Sequence, residues 1–148
     1  MKFVNKIVFI VILITVCSCG FPVVEKRSEI EDNNIKELYT EITNDGLIIN
    51  GSISNVDDVD YYRFTAGIGV EYTIKFKSIN QLVARMTTDT EVNLGSIYPL
   101  EKEPYYAYNS FYSSKSYYVY ISVSANGDES GDYQLSVTGK IGNDVYNY

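Results

Sequence analysis

Beyond the turn Asn44-Asp45-Gly46, the chain alternates short β-branched or aromatic runs with breaks rich in Gly, Asn, Asp, Ser or Pro. Eight runs are predicted as strands: Leu47–Ile53, Val59–Thr65, Val70–Lys77, Leu82–Thr88, Val92–Tyr98, Tyr105–Tyr112, Tyr117–Ser124 and Tyr133–Thr138. A period of two is clearest in Tyr72-Thr73-Ile74-Lys75-Phe76-Lys77 and Tyr118-Val119-Tyr120-Ile121-Ser122-Val123, the mark of strands with one buried face. Tyr62 and Phe64 then share one face of their strand, and Tyr61 and Arg63 the other. Short strands at this spacing predict an all-β, jelly-roll-like antiparallel sandwich of about eight strands.

The pattern changes upstream. Ile35, Leu38, Tyr39 and Ile42 fall at i, i+3, i+4 and i+7, which predicts a short helix over 33–42. Asn34 with Glu37 would form its capping arrangement. Phe21 to Ser28 has a proline, mixed charge and no period, and reads as a tether whose eight extended residues reach roughly 25–30 Å.

Residues 1–18 read as a secretory signal. Lys2 and Lys6 form a positive head, and Ile7 to Val16 is a run of 10 residues that is apolar but for Thr15. A spanning helix needs about 20. The run ends in Val16-Cys17-Ser18-Cys19-Gly20, which resembles the bacterial lipobox. Cys19 is the better lipid acceptor, because Cys17 would put bulky Val16 at the cleavage position. The alternative is a plain signal cut near Ser18. A lipidated Cys19 implies stable membrane anchoring through more than one acyl chain. Gly20 is not the Asp that retains some lipoproteins at the inner membrane, so the expected location is the envelope, at the outer membrane or cell surface. The expected organisation is signal 1–18, lipidated tether 19–28, sandwich 29–139 and tail 140–148, with Asn143 to Tyr148 fraying.

Composition narrows the function. There are 15 Tyr and no His or Trp, which removes histidine-based triads and most zinc sites. Without Lys2 and Lys6 the mature part has 10 basic against 19 acidic residues, a net charge of −9. That argues against nucleic acid, whose phosphates need a basic face. A chain starting at Cys19 has no second cysteine for an internal disulfide, so its fold rests on packing.

Three islands together resemble the bacterial pre-peptidase C-terminal domain, which is related to the collagen-binding modules of clostridial collagenases. They are Glu29-Ile30-Glu31-Asp32-Asn33-Asn34; Gly51-Ser52-Ile53 followed by Asp57-Asp58-Val59-Asp60-Tyr61-Tyr62-Arg63-Phe64; and Tyr117-Tyr118-Val119-Tyr120-Ile121 followed by Gly131-Asp132-Tyr133-Gln134-Leu135-Ser136-Val137. The resemblance spans about residues 29–138 and implies a non-catalytic module. It also implies a calcium site formed by Glu29, Glu31, Asn33, Asn34, Ser52 through its carbonyl, Asp57 and Asp60. Asn34 departs from the Asp often found there, which removes one charge.

The residues themselves give calcium some independent support. Positions 25–60 hold 10 of the 19 acids and three basic residues, and oxygen ligands alone suit calcium. The bland alternative is an acidic, solvated loop. A second candidate is an aromatic binding strip: Tyr105, Tyr106, Tyr108, Phe111 and Tyr112 cluster too densely for all to be buried. Exposed tyrosine is a good contact residue for proteins and sugars. Ser110, Ser113, Ser114, Lys115 and Ser116 suggest a Ser-Lys dyad on paper, but such a stretch between strands reads as a loop. The expected function is a lipid-anchored, calcium-associated module that binds a protein or glycan. The alternatives are a structural subunit of an envelope complex, or a small hydrolase using paired carboxylates.

Overall fold

A computed structural model of the protein describes residues 26–28, 33–99 and 107–141. Those residues form ten strands: β1 (Lys26–Ser28), β2 (Thr40–Glu41), β3 (Ile48–Ile53), β4 (Val59–Ala66), β5 (Val70–Ser78), β6 (Leu82–Thr88), β7 (Asn93–Ile97), β8 (Ala107–Ser113), β9 (Tyr117–Ala125) and β10 (Gly131–Ile141). They make two five-stranded sheets, ordered β1-β3-β10-β5-β8 and β2-β4-β9-β6-β7, and the protein is an all-β sandwich. All eight predicted runs contain a strand. Tyr105 and Tyr106, at the start of the sixth run, lie outside the described residues.

From β3 to β6 each strand enters the opposite sheet from its predecessor, and from β7 to β10 the alternation resumes. Each strand therefore turns one row of side chains towards the other sheet. Tyr62 and Phe64 from β4, Tyr72, Ile74 and Phe76 from β5, Val119, Ile121 and Val123 from β9, and Tyr133, Leu135 and Val137 from β10 fill that space. Fully burying an apolar side chain of this size contributes about 1.5–3 kcal/mol, so this double row holds the sheets together.

The segment before β3 departs from the sequence reading. No helix forms over 33–42. A single 3₁₀ turn, Lys36–Leu38, is followed at once by β2. Of the supposed helical stripe, Ile35 and Leu38 are exposed and only Ile42 enters the core. The cause is tertiary pairing: Thr40 and Glu41 lie parallel to Tyr62 and Arg63, and the Ile42 amide donates to the Arg63 carbonyl at 2.9 Å. Two extended residues on an open sheet edge win over a weakly capped helix that would bury one side chain. The tether likewise ends in structure, since Lys26–Ser28 runs parallel to Ile48–Asn50 as β1. The N-terminal part of the domain thus adds an edge strand to both sheets on the same side.

The opposite side is closed differently. The side chain of Asn109 on β8 reaches over to the Leu94 carbonyl of β7 at 3.5 Å. It lies so near Gly95 that any β-carbon there would collide with its amide, and Gly95 has a φ of 126° that side chains disfavour. Glycine at that position lets the two edge strands meet.

Candidate functional site

The sandwich end bearing the β3–β4, β5–β6 and β9–β10 loops gathers most of the predicted calcium residues that can be placed. Asp60 begins the inward row of β4, is 1% exposed, and faces the core below that end. A carboxylate there needs hydrogen bonds. Tyr133 supplies one: its hydroxyl donates to Asp60 Oδ2 at 2.6 Å, and the Tyr62 hydroxyl lies 2.5 Å from that of Tyr133. Burial, reinforced by Tyr62 and the Asp60 charge, pushes the Tyr133 phenol far above its ordinary range, so it stays protonated as a donor.

Asn33 lies beside the same strand. Its carbonyl accepts the Tyr61 amide at 3.2 Å, and its side-chain nitrogen approaches the Tyr61 carbonyl at 3.4 Å and Thr40 Oγ1 at 3.5 Å. Its amide oxygen, by contrast, is buried with no hydrogen-bond partner. Asn34 is exposed next to it and caps nothing. Asp57 is exposed in the β3–β4 loop, where its amide donates to Asn55 Oδ1 at 2.9 Å. Asp58 plays a local part, taking the Ser54 amide at 2.6 Å to close that loop. Ser52 is half-buried on β3, paired with Asp132.

Asn33 thus binds the backbone of Tyr61, the residue after Asp60 on β4, while Asp57 and Ser52 stand in the neighbouring loop and strand. Glu29 and Glu31 lie outside the described residues. Among the described residues, no three His, Cys, Asp or Glu side chains converge as a metal cluster would. Cys19 also lies outside the described residues.

The tyrosines divide as the alternation predicts. Tyr62, Tyr72 and Tyr133 are core residues, while Tyr108 is 74% exposed and Tyr112 52%. Phe111, between them in sequence, turns inward to stack on Tyr72 at 5.4 Å. An aromatic strip that no sequence signal identifies lies on the outer face of the other sheet. The Arg63 guanidinium sits 3.9 Å from the Tyr39 ring centre and 4.3 Å from that of Tyr118, and bonds Glu41 at 3.3 Å. Tyr39 meets Tyr120 edge-on at 5.9 Å, and the Lys36 ammonium lies 4.6 Å from the Tyr120 ring. Cation–π contacts of this kind hold the rings in fixed attitudes. Alternation places Arg63 on the same face as Tyr61 and says nothing of its partners, which come from separate parts of the chain.

Ser113 is buried at the end of β8, and its hydroxyl donates to the Lys115 backbone carbonyl at 2.5 Å. The Ser/Lys stretch is the β8–β9 connection.

No protein-family model matches the sequence, and no curated protein matches it. Among solved structures, the chain is similar to PliG of Aeromonas hydrophila, a periplasmic lysozyme inhibitor of g-type lysozyme. The TM-score is 0.55 at 12% identity, over 78% of this chain and 100% of that one. The likeness is one of fold. The chain is also similar to the pre-peptidase C-terminal domain of collagenase from Bacillus anthracis, with a TM-score of 0.49 at 16% identity over 77% of this chain and 95% of that one. That domain is of the family which the three sequence islands resemble.

Proposed function

We propose that the protein is a non-catalytic binding module, held at the cell envelope by a lipid on Cys19, that engages a protein or glycan ligand. The observation that carries this reading is the ordered Tyr39–Arg63–Tyr118–Tyr120 surface, a set of rigid rings at the face of a sheet. Rigid aromatics lose little conformational freedom on contact, which suits them to holding a large ligand. The fold likeness to a periplasmic inhibitor supports an envelope location and a protein as one class of ligand.

Calcium belongs to the same reading. The orphaned Asn33 oxygen and the Asp60 carboxylate are oxygen donors of the type calcium takes, and they flank the same stretch of β4. Asp57, Asn34, the Ser52 carbonyl, Glu29 and Glu31 would complete the set. Such an ion would supply charge neutralisation and fix the lead-in segment against the sandwich. The fit is partial, because Asp60 Oδ2 already accepts the Tyr133 hydroxyl.

Capture from detergent-solubilised envelope, in calcium and then in chelator, tests the reading. One ligand class should be retained in calcium and released or weakened by chelation. Turnover of a polymeric substrate would support the hydrolase instead, and a fixed set of stoichiometric subunits the structural alternative. Lipid labelling should disappear in Cys19→Ser and persist in Cys17→Ser; persistence in both overturns the anchor.

A further inference from the structure

The outer face of the first sheet carries a groove of about 550 Å³, on the opposite side of the sandwich from the Arg63 strip. Two rows of side chains wall it. One row is Asn50, Gln134 and Lys77, brought side by side by the β3–β10 and β10–β5 registers. The other sets Ser52 opposite Asp132, with Ile79 just beyond β5. Residues two apart on a strand stand about 7 Å apart, so the groove crosses the strands between these rows.

The first row is already oriented. Gln134 Nε2 donates to Asn50 Oδ1 at 3.0 Å, and Asn50 Nδ2 donates to the Arg27 carbonyl at 3.3 Å. This relay fixes which way each amide faces. A primary amide has two N–H donors and two acceptor lone pairs, so Asn50 keeps capacity for a ligand. The floor is the paired backbone of β3, β10 and β5, whose amides and carbonyls serve the ladders. An incoming peptide strand would therefore find no main-chain partners there, and side chains must do the recognising.

Those side chains combine amide and hydroxyl groups, one ammonium (Lys77), one carboxylate (Asp132) and an apolar patch at Ile79, which is 75% exposed. Closely spaced donors and acceptors beside a small apolar surface match a sugar carrying an acetamido group. Its carbonyl needs a donor, its N–H an acceptor, and its methyl an apolar contact. We propose that this groove binds N-acetylated amino sugars, with Asn50, Gln134, Lys77 and Asp132 holding the polar groups and Ile79 covering the methyl. The proposal rests on the reading of the protein as a binding module and names one ligand class and its site.

Titration calorimetry of the full chain in detergent tests it, with triacetylchitotriose as the probe and maltotriose as the control. Chitotriose should bind, and maltotriose at least about tenfold more weakly. Gln134→Ala and Lys77→Gln should each weaken chitotriose about tenfold, while Ile68→Ala, at an exposed position in the β4–β5 turn, leaves it unchanged. Thermal melts confirm that each variant is folded. No heat with chitotriose, equal affinity for maltotriose, or indifference to both groove substitutions overturns the proposal. If chitotriose fails while envelope capture still yields a calcium-dependent ligand, the groove assignment falls alone. If both fail, the binding-module reading falls with it.

Discussion

The two ends of the core use the same residue types to opposite effect. At one end Phe64, Tyr72 and Phe111 pack ring on ring, with centres 5.2, 5.4 and 6.4 Å apart, and the Tyr72 hydroxyl escapes to the rim to accept the Gly67 amide at 2.7 Å. At the other end Tyr62, Tyr133 and Phe76 also touch, at 6.4 and 5.7 Å, but the two hydroxyls turn inward around Asp60. The first arrangement is what a sandwich needs in order to fold. The second holds a carboxylate that packing does not require and that must be kept hydrogen-bonded to be tolerated at all. The difference sets the buried polar chemistry at one end of the core, below the β3–β4 loop that holds Asp57.

The largest effect should come from the apolar end. Phe64→Ala removes a ring that touches both Tyr72 and Phe111 and should cost about 3–5 kcal/mol in urea unfolding. A loss below about 1 kcal/mol would mean that this end is not the anchor of the fold.

Tyr133→Phe comes next. It leaves the ring packing intact but takes away the hydroxyl that donates to Asp60, a loss of about 1–3 kcal/mol for a buried acceptor stripped of a donor. Tyr62→Phe should cost less, because Tyr133 still reaches the carboxylate. Equal losses, measured by the same unfolding, would show that the pair acts as one unit rather than as a donor and its support.

Calcium sharpens the contrast further. In the wild type, the Tyr133 hydroxyl occupies Asp60 Oδ2, an oxygen that a cation would also use. If the proposed site exists, Tyr133→Phe should therefore show a larger calcium-induced rise in melting temperature than the wild type. Asn33→Ala should diminish the rise, and Phe64→Ala should leave it as it is. A rise that is the same in all four proteins would dissociate calcium from the polar end.

How much of this was legible in the sequence depends on what fixes each feature. Alternation is local, so the common face of Tyr62 and Phe64 and all eight runs could be read directly, whereas which face is inward comes from the packing of the two sheets. β1 and β2 could not, because three and two residues carry no period and gain their structure from β3 and β4. The stripe of Ile35, Leu38, Tyr39 and Ile42 has helical spacing, yet Tyr39 was placed to cover Arg63 and only Ile42 to enter the core. Asp60 stood out as an acid before an aromatic strand. Its donor lies 73 positions away, and only the register of the whole sandwich brings it there. The groove row of Asn50, Gln134 and Lys77 is hidden for the same reason.

The smallest effect tests whether the apolar end has any charge dependence of its own. Asp45 forms the turn before β3 and bridges to Thr138, next to Gly139, which pairs with Tyr72. Hydrogen bonds from the Thr43 hydroxyl at 2.8 Å and the Leu47 amide at 3.1 Å hold its carboxyl below the usual carboxylate range. A depressed folded pKa means the ionised group stabilises the fold. That contribution is complete above the unfolded value of about 3.9 and disappears as pH falls through the lower folded value. Asp45→Asn should therefore lower stability slightly at neutral pH, the effect being small because the group is exposed. Unfolding curves of variant and wild type should converge as the medium is acidified below the folded pKa. A gap that persists there would assign the role of Asp45 to turn geometry rather than to its charge.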